Sequence, residues 1–172
     1  MNTTLALLVI VAVTAAVLGV ALYVCRQKTS RSQKNALIMR RFGQRLWNEG
    51  DLTVIEKVIA PGAVIHFPIG DLIGPEGFKA MHVDAVSGGF SDTRFTLHDM
   101  LAQGDLVAAR WETRQRHTGP FQGFPPTGKE VHMTGLTMAR LQNGQIVEAW
   151  DEWDLAGLMR QLGAFGAMEE DT

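Results

Sequence analysis

Residues 110–154, RWETRQRHTGPFQGFPPTGKEVHMTGLTMARLQNGQIVEAWDEWD, decide the fold, because they predict three successive strands around one pocket. The first strand begins near Leu106, and from Arg110 to Arg116 its even-numbered residues are all charged. A period of two is typical of a strand with one covered face. The covered residues would then be Val107, Ala109, Trp111, Thr113, Gln115 and His117.

Polarity rises along that covered face, from Val107 at one end to His117 at the other. This gradient predicts a pocket with a dry floor and a wet mouth, with His117 near the mouth. The alternative is that His117 ends the strand and points into solvent.

The last strand, Gln145 to Asp154, follows an Asn143-Gly144 turn and is rich in carboxylates. Strand geometry puts Glu148, Trp150 and Glu152 on one side and Asp151 and Trp153 on the other, so one side must be solvated. Because Ile146 is apolar and shares the side of Glu148, we expect Glu148 to face the pocket. A buried carboxyl beside Trp111 and Trp150 would have a raised pKa, as general acid–base catalysis requires.

The remaining patterns predict helices first and strands afterwards. A helix over 36–47 precedes a short helix from Leu52 to Ile59, a strand over 63–68 and a helix around Phe78. Four strands follow, over 94–103, 106–118, 129–141 and 145–154, and a helix over 155–162 ends the domain. Without β-α-β alternation, this order indicates an α+β fold in which a curved antiparallel sheet wraps around helices.

The N-terminal segment is a candidate transmembrane anchor. From Leu5 to Val24, twenty consecutive residues carry no charge, and as a helix they would rise about 30 Å, the thickness of a bilayer core. A cleavable signal is less favoured, because residues 1–4 carry no basic side chain and bulky residues precede Cys25. A single cysteine excludes an intrachain disulfide and fits a reducing compartment.

Basic residues are concentrated directly after the apolar segment. Seven of the 16 lysines and arginines lie within residues 26–45, where there is no acid, so nine remain against 18 acids. The positive-inside rule therefore predicts a single-pass protein of the cytoplasmic membrane, with its N-terminus outside and the domain in the cytoplasm. The acidic domain argues against nucleic-acid binding. We expect an anchor over 1–25, a polar linker over 26–33, one domain over 34–165 and an acidic tail over 166–172.

Residues from about Lys34 to Gly163 resemble the SnoaL-like polyketide (ester) cyclase family of the nuclear-transport-factor-2-like superfamily. The resemblance rests, in order, on Trp47-Asn48-Glu49-Gly50-Asp51, Ala60-Pro61 through His66, Gly74-Pro75-Glu76-Gly77-Phe78, His117-Thr118-Gly119, Gly123-Phe124-Pro125-Pro126-Thr127-Gly128, Gly144-Gln145-Ile146-Val147-Glu148, Trp150, Asp154 and Gln161-Leu162-Gly163. It implies a cone-shaped fold that hosts enzymes and binding proteins alike.

The resemblance also implies a cofactor-free pocket in which one acid removes a proton next to a carbonyl and drives an intramolecular aldol closure of a hydrophobic substrate. Characterised cyclases use an Asp on the last strand, and Glu148 is the position that matches it best here, with His66 and His117 as companions. The expected pocket residues are Trp111, Thr113, Trp150, Phe78, Phe124 and Asp151.

Two further expectations concern ligands and partners. His82, His98 and His132 stand on separate elements without the short spacing of metal ligands, so no metal site is expected. Many relatives dimerise, and a homodimer is expected. The competing interpretation is a non-enzymatic module, tethered to the bilayer through residues 5–24, that binds a small ligand or a partner.

Overall fold

The computed structural model describes residues 3–164, and its first element is one continuous helix, α1, Thr3–Gly43. The predicted anchor, linker and first domain helix therefore form a single continuous helix. The residues expected to form a polar linker, 26–33, are helical, because residues 26–42 contain no glycine or proline to break a helix. The predicted acidic tail lies outside the described residues.

The linker part of α1 already packs on the domain. The Ser32 hydroxyl accepts a hydrogen bond from the backbone N–H of Gly104 at 2.8 Å, and Arg31 forms an ion pair with Asp105. The Asn35 amide donates to the carbonyl of Gly104 at 2.9 Å. These contacts fix α1 against the turn between two strands of the sheet.

By length and composition α1 could cross a bilayer, with a mean hydropathy of 1.8 in its apolar part. The residues of this part from Ile10 to Val24 are exposed, so the domain does not cover them. A signal sequence near the N-terminus meets the same criteria. The helix is therefore a candidate membrane span.

Short helices follow α1. A π-helical turn, Gln44–Asn48, continues it and leads to α2, Thr53–Val58. Helix α3, Gly74–Met81, also runs into a π-helical segment, His82–Ser87. The two π-helical segments meet where the ring of Trp47 contacts the ring of His82 edge-on, with 4.8 Å between centroids.

Six strands form one curved sheet. They are β1 Ile59–Phe67, β2 Gly70–Ile73, β3 Phe90–Gln103, β4 Leu106–His117, β5 Glu130–Gln142 and β6 Gln145–Trp153, in the order β2-β1-β6-β5-β4-β3. All neighbours are antiparallel except β1 and β6, which are parallel. The α+β prediction is confirmed, but the sheet is mixed rather than wholly antiparallel, because the connection from β1 passes through α3 and four strands, β2 to β5, before the chain returns in β6.

Helices cover one face of this sheet and create two apolar clusters. The larger cluster joins α1, α2 and α3 to the strands through buried residues such as Phe42, Ile55 and Ile65. The smaller one gathers Phe90, Phe121, Val131, Leu158 and Leu162 under the last helix, α4, Leu155–Leu162. The cavity that concerns function lies between these clusters.

Candidate active site

The covered face of β4 is as predicted. Its burial alternates strictly, and the odd residues from Val107 to His117 are all buried. Trp111 is 7% exposed and Thr113 is 1% exposed. This face supplies one wall of the cavity.

The cavity has two apolar lobes that meet at three side chains. The first lobe, of about 70 Å³, lies between α1, α3 and the sheet; the second, of about 50 Å³, lies between the second π-helical segment, β4, β5, β6 and α4. Trp47, Trp111 and Asp151 line both lobes. Since a water needs roughly 10–15 Å³ on this kind of measure, each lobe has space for a few waters or a small part of a ligand.

Asp151 is the carboxylate of this cavity, and a hydrogen-bonded chain orients it. The Thr137 hydroxyl donates to Asp151 Oδ1 at 2.7 Å, and the Trp111 indole N–H donates to the Thr137 hydroxyl at 2.8 Å. The Thr137 proton is thereby directed to Oδ1, because the indole can only donate. The second oxygen, Oδ2, is left to accept a proton from a ligand.

Burial raises the pKa of Asp151 to about 6, against the hydrogen bond from Thr137 and with a smaller contribution from the charge of Glu152. The apolar lining explains the direction, since a charged carboxylate is poorly solvated there. A carboxyl group with such a pKa takes and returns protons near neutral pH, which suits general acid–base catalysis.

A β-bulge in β6 decides which acid faces the cavity. Leu141 pairs with Ile146 and Arg140 pairs with Glu148, so β6 has one residue between these two pairs and β5 has none. The extra residue reverses the alternation of the strand. Ile146, Ala149 and Asp151 therefore line the cavity together.

Glu148 and Trp150 consequently lie on the other face of the sheet. The expectation that Glu148 shares the covered face with Ile146 is wrong, and so is the expectation that Trp150 is a pocket wall. The Glu148 side chain is 38% exposed, and its carboxylate lies 3.7 Å from His66 Nε2 and accepts from Arg140 Nε at 3.5 Å. The structure thus brings two of the three predicted catalytic residues together, but outside the cavity.

His66 belongs to that outer group. Its ring stacks on Trp150 with 5.6 Å between centroids, and its Nδ1 is 2.9 Å from Asp71 Oδ1. The hydrogen bond with Asp71, with a further contribution from Glu148, raises the pKa of His66. The partly exposed His66 imidazole and the carboxylates beside it form an ordinary group of surface ion pairs.

His117 lies on the covered face but has no open mouth beside it. The loop after β4 closes over it, and the side chain is completely buried near Phe90 and Phe121. Its Nδ1 accepts from the backbone N–H of Thr127 at 3.2 Å, which leaves the proton on Nε2. Burial lowers the pKa of His117, so the ring is neutral. The alternative of a solvent-facing His117 is excluded.

Of the remaining predicted pocket residues, some line the cavity and others do not. Phe78 and Trp111 line the first lobe. Thr113 is buried beside them on β4, but it is not part of either lining. Phe124 is partly buried in the loop that covers His117, where its backbone pairs with that of Phe121. Phe121, rather than Phe124, reaches the second lobe.

Thr137 and Trp47 are functional candidates that sequence reasoning missed. Thr137 pairs with Asp151 across β5 and β6, and with Ala109 across β4 and β5. A threonine opposite a buried aspartate is a signal that becomes readable only once the strand register is known. Trp47 ends the first predicted helix, and the π-helical turn directs its side chain to the junction of the lobes.

The three histidines expected to stay apart are not all isolated. His98 and His132 both approach Glu112 Oε2 on the outer face, at 3.2 and 3.1 Å, and hydrogen bonds from His132 and then His98 lower the pKa of Glu112. Across residues 3–164, no three His, Cys, Asp or Glu side chains form a group that could hold a metal ion. His82 is buried against Trp47, and burial lowers its pKa.

Comparisons with known proteins cover most of the chain. The family model for SnoaL-like polyketide cyclases matches residues 37–162. Aklanonic acid methyl ester cyclase DauD from Streptomyces sp. (strain C5) is 31% identical over 111 residues, which are 64% of this chain and 67% of that protein.

Solved structures show the same fold. IdmH from Streptomyces antibioticus is 37% identical, with a TM-score of 0.62 over 70% of this chain and 94% of its own. A SnoaL-like protein from Jannaschia sp. CCS1 has a TM-score of 0.72 at 24% identity, over 78% of this chain and 94% of its own. At that identity the second likeness shows the fold alone.

Proposed function

The chain belongs to the SnoaL-like polyketide cyclase family, and from this premise we propose that its cavity catalyses proton abstraction next to a carbonyl, with Asp151 as the base. The observation that carries the proposal is the single oriented carboxyl at the junction of two apolar lobes, with a pKa of about 6. DauD, a relative that closes a ring in aklanonic acid methyl ester, supports an intramolecular aldol reaction on a hydrophobic carbonyl compound.

The reaction balances without an added reactant. Asp151 Oδ2 takes a proton from the carbon next to one carbonyl, and the resulting enolate carbon forms a C–C bond to a second carbonyl carbon of the same molecule. The new alkoxide oxygen then takes the proton back from Asp151, so substrate and product are isomers. The same carboxyl acts first as base and then as acid, which a pKa near neutrality favours.

Buried hydrogen-bond donors support the proposal because a developing enolate oxygen needs them. The indole nitrogen of Trp153, which lines the second lobe, has no hydrogen-bond partner within residues 3–164. His117 Nε2, which carries the proton, is also buried and without a partner in that range. In this proposal Trp153 donates to the substrate oxygen once the ligand has widened the second lobe around the indole nitrogen, and His117 can do so only after its covering loop moves.

Glu148 and His66 have no catalytic part in this proposal, because the bulge in β6 places both outside the cavity. They are replaced by Asp151 as the reacting acid and by Thr137 as the residue that positions it. Glu148 then serves as a control, since it is a carboxylate on the same strand, three residues from Asp151, that faces the other way.

Deuterium exchange tests the assignment. We expect the full-length protein to speed deuterium uptake at the carbon next to the carbonyl of 1-tetralone, a small aromatic ketone, in buffered D2O. Replacing Asp151 with Asn should lower the rate about 10²- to 10⁴-fold, the usual contribution of general base catalysis. Glu148→Gln should stay within about twofold of wild type on the same reasoning.

The results that oppose the proposal are equally specific. An Asp151→Asn variant that exchanges at the wild-type rate refutes the base, and a Glu148→Gln variant that loses exchange instead would restore Glu148. Binding of 1-tetralone without any exchange by the wild-type protein would favour a non-enzymatic module.

The location and assembly of the protein are part of the same proposal. We place the apolar part of α1 across the cytoplasmic membrane with the domain inside, because residues 26–45 are basic. We place a second copy on the outer face of the sheet, where Leu136 is 59% and Met138 is 40% exposed. Protection of the domain from protease in sealed cells tests the first placement. The mass of the detergent-solubilised protein tests the second.

A further inference from the structure

An open groove of about 840 Å³ lies between α1 and strand β3, on the outside of the first lobe. One wall is helical and rich in arginine, and the other is strand β3 from Phe95 to Leu97. Its helical wall contains Leu37, Arg40, Arg41 and Arg45.

Two of its three arginines have free guanidinium groups. Arg45 forms an ion pair with Asp51, whereas Arg40 and Arg41 are exposed and make no ion pair within residues 3–164. Glu49 is the one acid in the lining. The groove therefore keeps a net positive charge next to the apolar side chains of Leu37 and Leu97.

The bilayer does not explain these two arginines. If the apolar segment ends at Val24, Arg40 lies sixteen residues farther along the continuous helix, a rise of about 24 Å. Electrostatic attraction between exposed charges is largely screened beyond roughly 8–10 Å at physiological ionic strength. Lipid head groups can hold Arg26 and Lys28 but not Arg40 and Arg41.

The groove shares a wall with the proposed catalytic cavity. Phe95 and Leu97 line the groove on one side and the first lobe on the other. The Phe95 ring lies directly on Gly43, where an added Cβ would come within 2.9 Å of it. The ring also stacks on Trp47, with 6.3 Å between centroids and 14° between planes. Phe95 is thus the partition between the cationic groove and the lobe that contains Asp151.

We propose that this groove binds a carboxylate of the substrate, so that the substrate class is an aromatic or polycyclic ketone bearing a free acid. Arg40 and Arg41 hold the carboxylate, and the carbonyl-bearing body passes Phe95 toward Asp151. This inference rests on the proposed function and narrows it. An arginine pair suits the group, because a guanidinium presents parallel N–H donors to both carboxylate oxygens.

Paired probes that differ by one methyl group and one charge separate charge recognition from hydrophobic binding. The probes are 3-benzoylpropanoate, a free acid, and its methyl ester, which is neutral. Binding is measured by calorimetry on the full chain in nanodiscs of zwitterionic lipid, in an Asp151→Asn background that stops exchange during the titration. We expect the acid to bind at least about tenfold more tightly than the ester, as hydrogen bonds to charged groups allow.

The double variant Arg40→Gln/Arg41→Gln should reduce acid binding to the level of the ester and leave ester binding unchanged. A matched variant, Lys57→Gln/Arg160→Gln, removes two charges from the exposed side of other elements and should keep the preference. Equal affinity for acid and ester in the parent protein overturns the inference, as does a preference that survives in the arginine variant. A loss of acid binding in the arginine variant that appears only in nanodiscs of anionic lipid also overturns the inference.

Failure of this inference and failure of the proposed function give different results. Exchange that depends on Asp151, together with equal binding of acid and ester, retains the catalytic proposal and removes the carboxylate site. A preference for the acid that depends on the two arginines, in a protein that never catalyses exchange, supports a carboxylate-binding module without the reaction.

Discussion

Replacing Asp151 with Asn should stabilise the protein at neutral pH, and the size of the effect should depend on pH. The Asp151 carboxyl has a pKa of about 6 in the folded chain, against an ordinary value of 3.8 for an aspartate. Between these values the folded state binds the proton more tightly than the unfolded state. The wild-type protein therefore loses stability as pH rises through this window, because ionising a carboxyl in the apolar cavity is unfavourable.

The magnitude follows from the shift. Each pKa unit is worth 1.36 kcal/mol, so wild type should lose about 2 kcal/mol from this group between pH 4 and pH 7.5. Asn keeps the shape, can accept from Thr137, and has no charge to bury. The advantage of the Asn variant over wild type should therefore grow by about 2 kcal/mol over that range.

Urea unfolding of both proteins in the same detergent, at pH 4 and pH 7.5, measures this difference. Glu148→Gln is the control, since a half-exposed carboxyl should show no comparable gain. A constant difference between the Asn variant and wild type at the two pH values would refute the claim that the Asp151 carboxyl is held in an apolar site. If the Asn variant gains stability but loses exchange activity, the charge of Asp151 is retained for function although it destabilises the fold.

Three further substitutions test the surroundings of this group. Thr137→Val removes the hydrogen bond that lowers the pKa of Asp151, so the midpoint of the pH–rate profile for exchange should move above about 6; an unchanged midpoint would show that the hydroxyl does not position the carboxylate. Gly135→Ala places a methyl group against the Trp111 indole and should cost roughly 1–3 kcal/mol of stability with a change in tryptophan fluorescence. Asp154→Ala removes the side chain that caps α4 by accepting from Gly157 N–H at 2.7 Å, which should cost about 1 kcal/mol by urea unfolding, whereas Asp154→Asn should retain most of the stability.

Regular alternation made the sheet readable from the sequence. The odd face of β4 is buried along its whole length, because no bulge interrupts its pairing with β5. Turns containing glycine placed the ends of β4, β5 and β6 within one or two residues. The family resemblance supplied the cone-shaped arrangement, which periodicity alone could not, since the parallel pairing of β1 with β6 joins residues far apart in the chain.

Continuity of the first helix was harder to read. Polar residues over 26–33 suggested a loop, but serine, threonine and lysine side chains are tolerated on an exposed helix surface. Tertiary contacts then fix the helix, as Asn35 and Ser32 do against Gly104. The consequence is functional, because a rigid rod leads directly from the candidate membrane span into Met39, Phe42 and Gly43 of the first lobe.

The position of the proposed catalytic acid depends on one extra residue in β6. Reading the strand forward from Ile146 in steps of two leads to Glu148, whereas reading backward from the apolar end leads from Trp153 through Asp151 to Ala149. The two readings disagree by one residue, and the disagreement indicates a bulge, because Ile146 and Trp153 both pack in the apolar clusters although their numbers differ in parity. When the apolar positions of a strand change from even to odd numbers, the functional side chain should therefore be sought among the covered residues that follow the change. In this chain, that search leads from a surface glutamate to the aspartate between two cavity lobes.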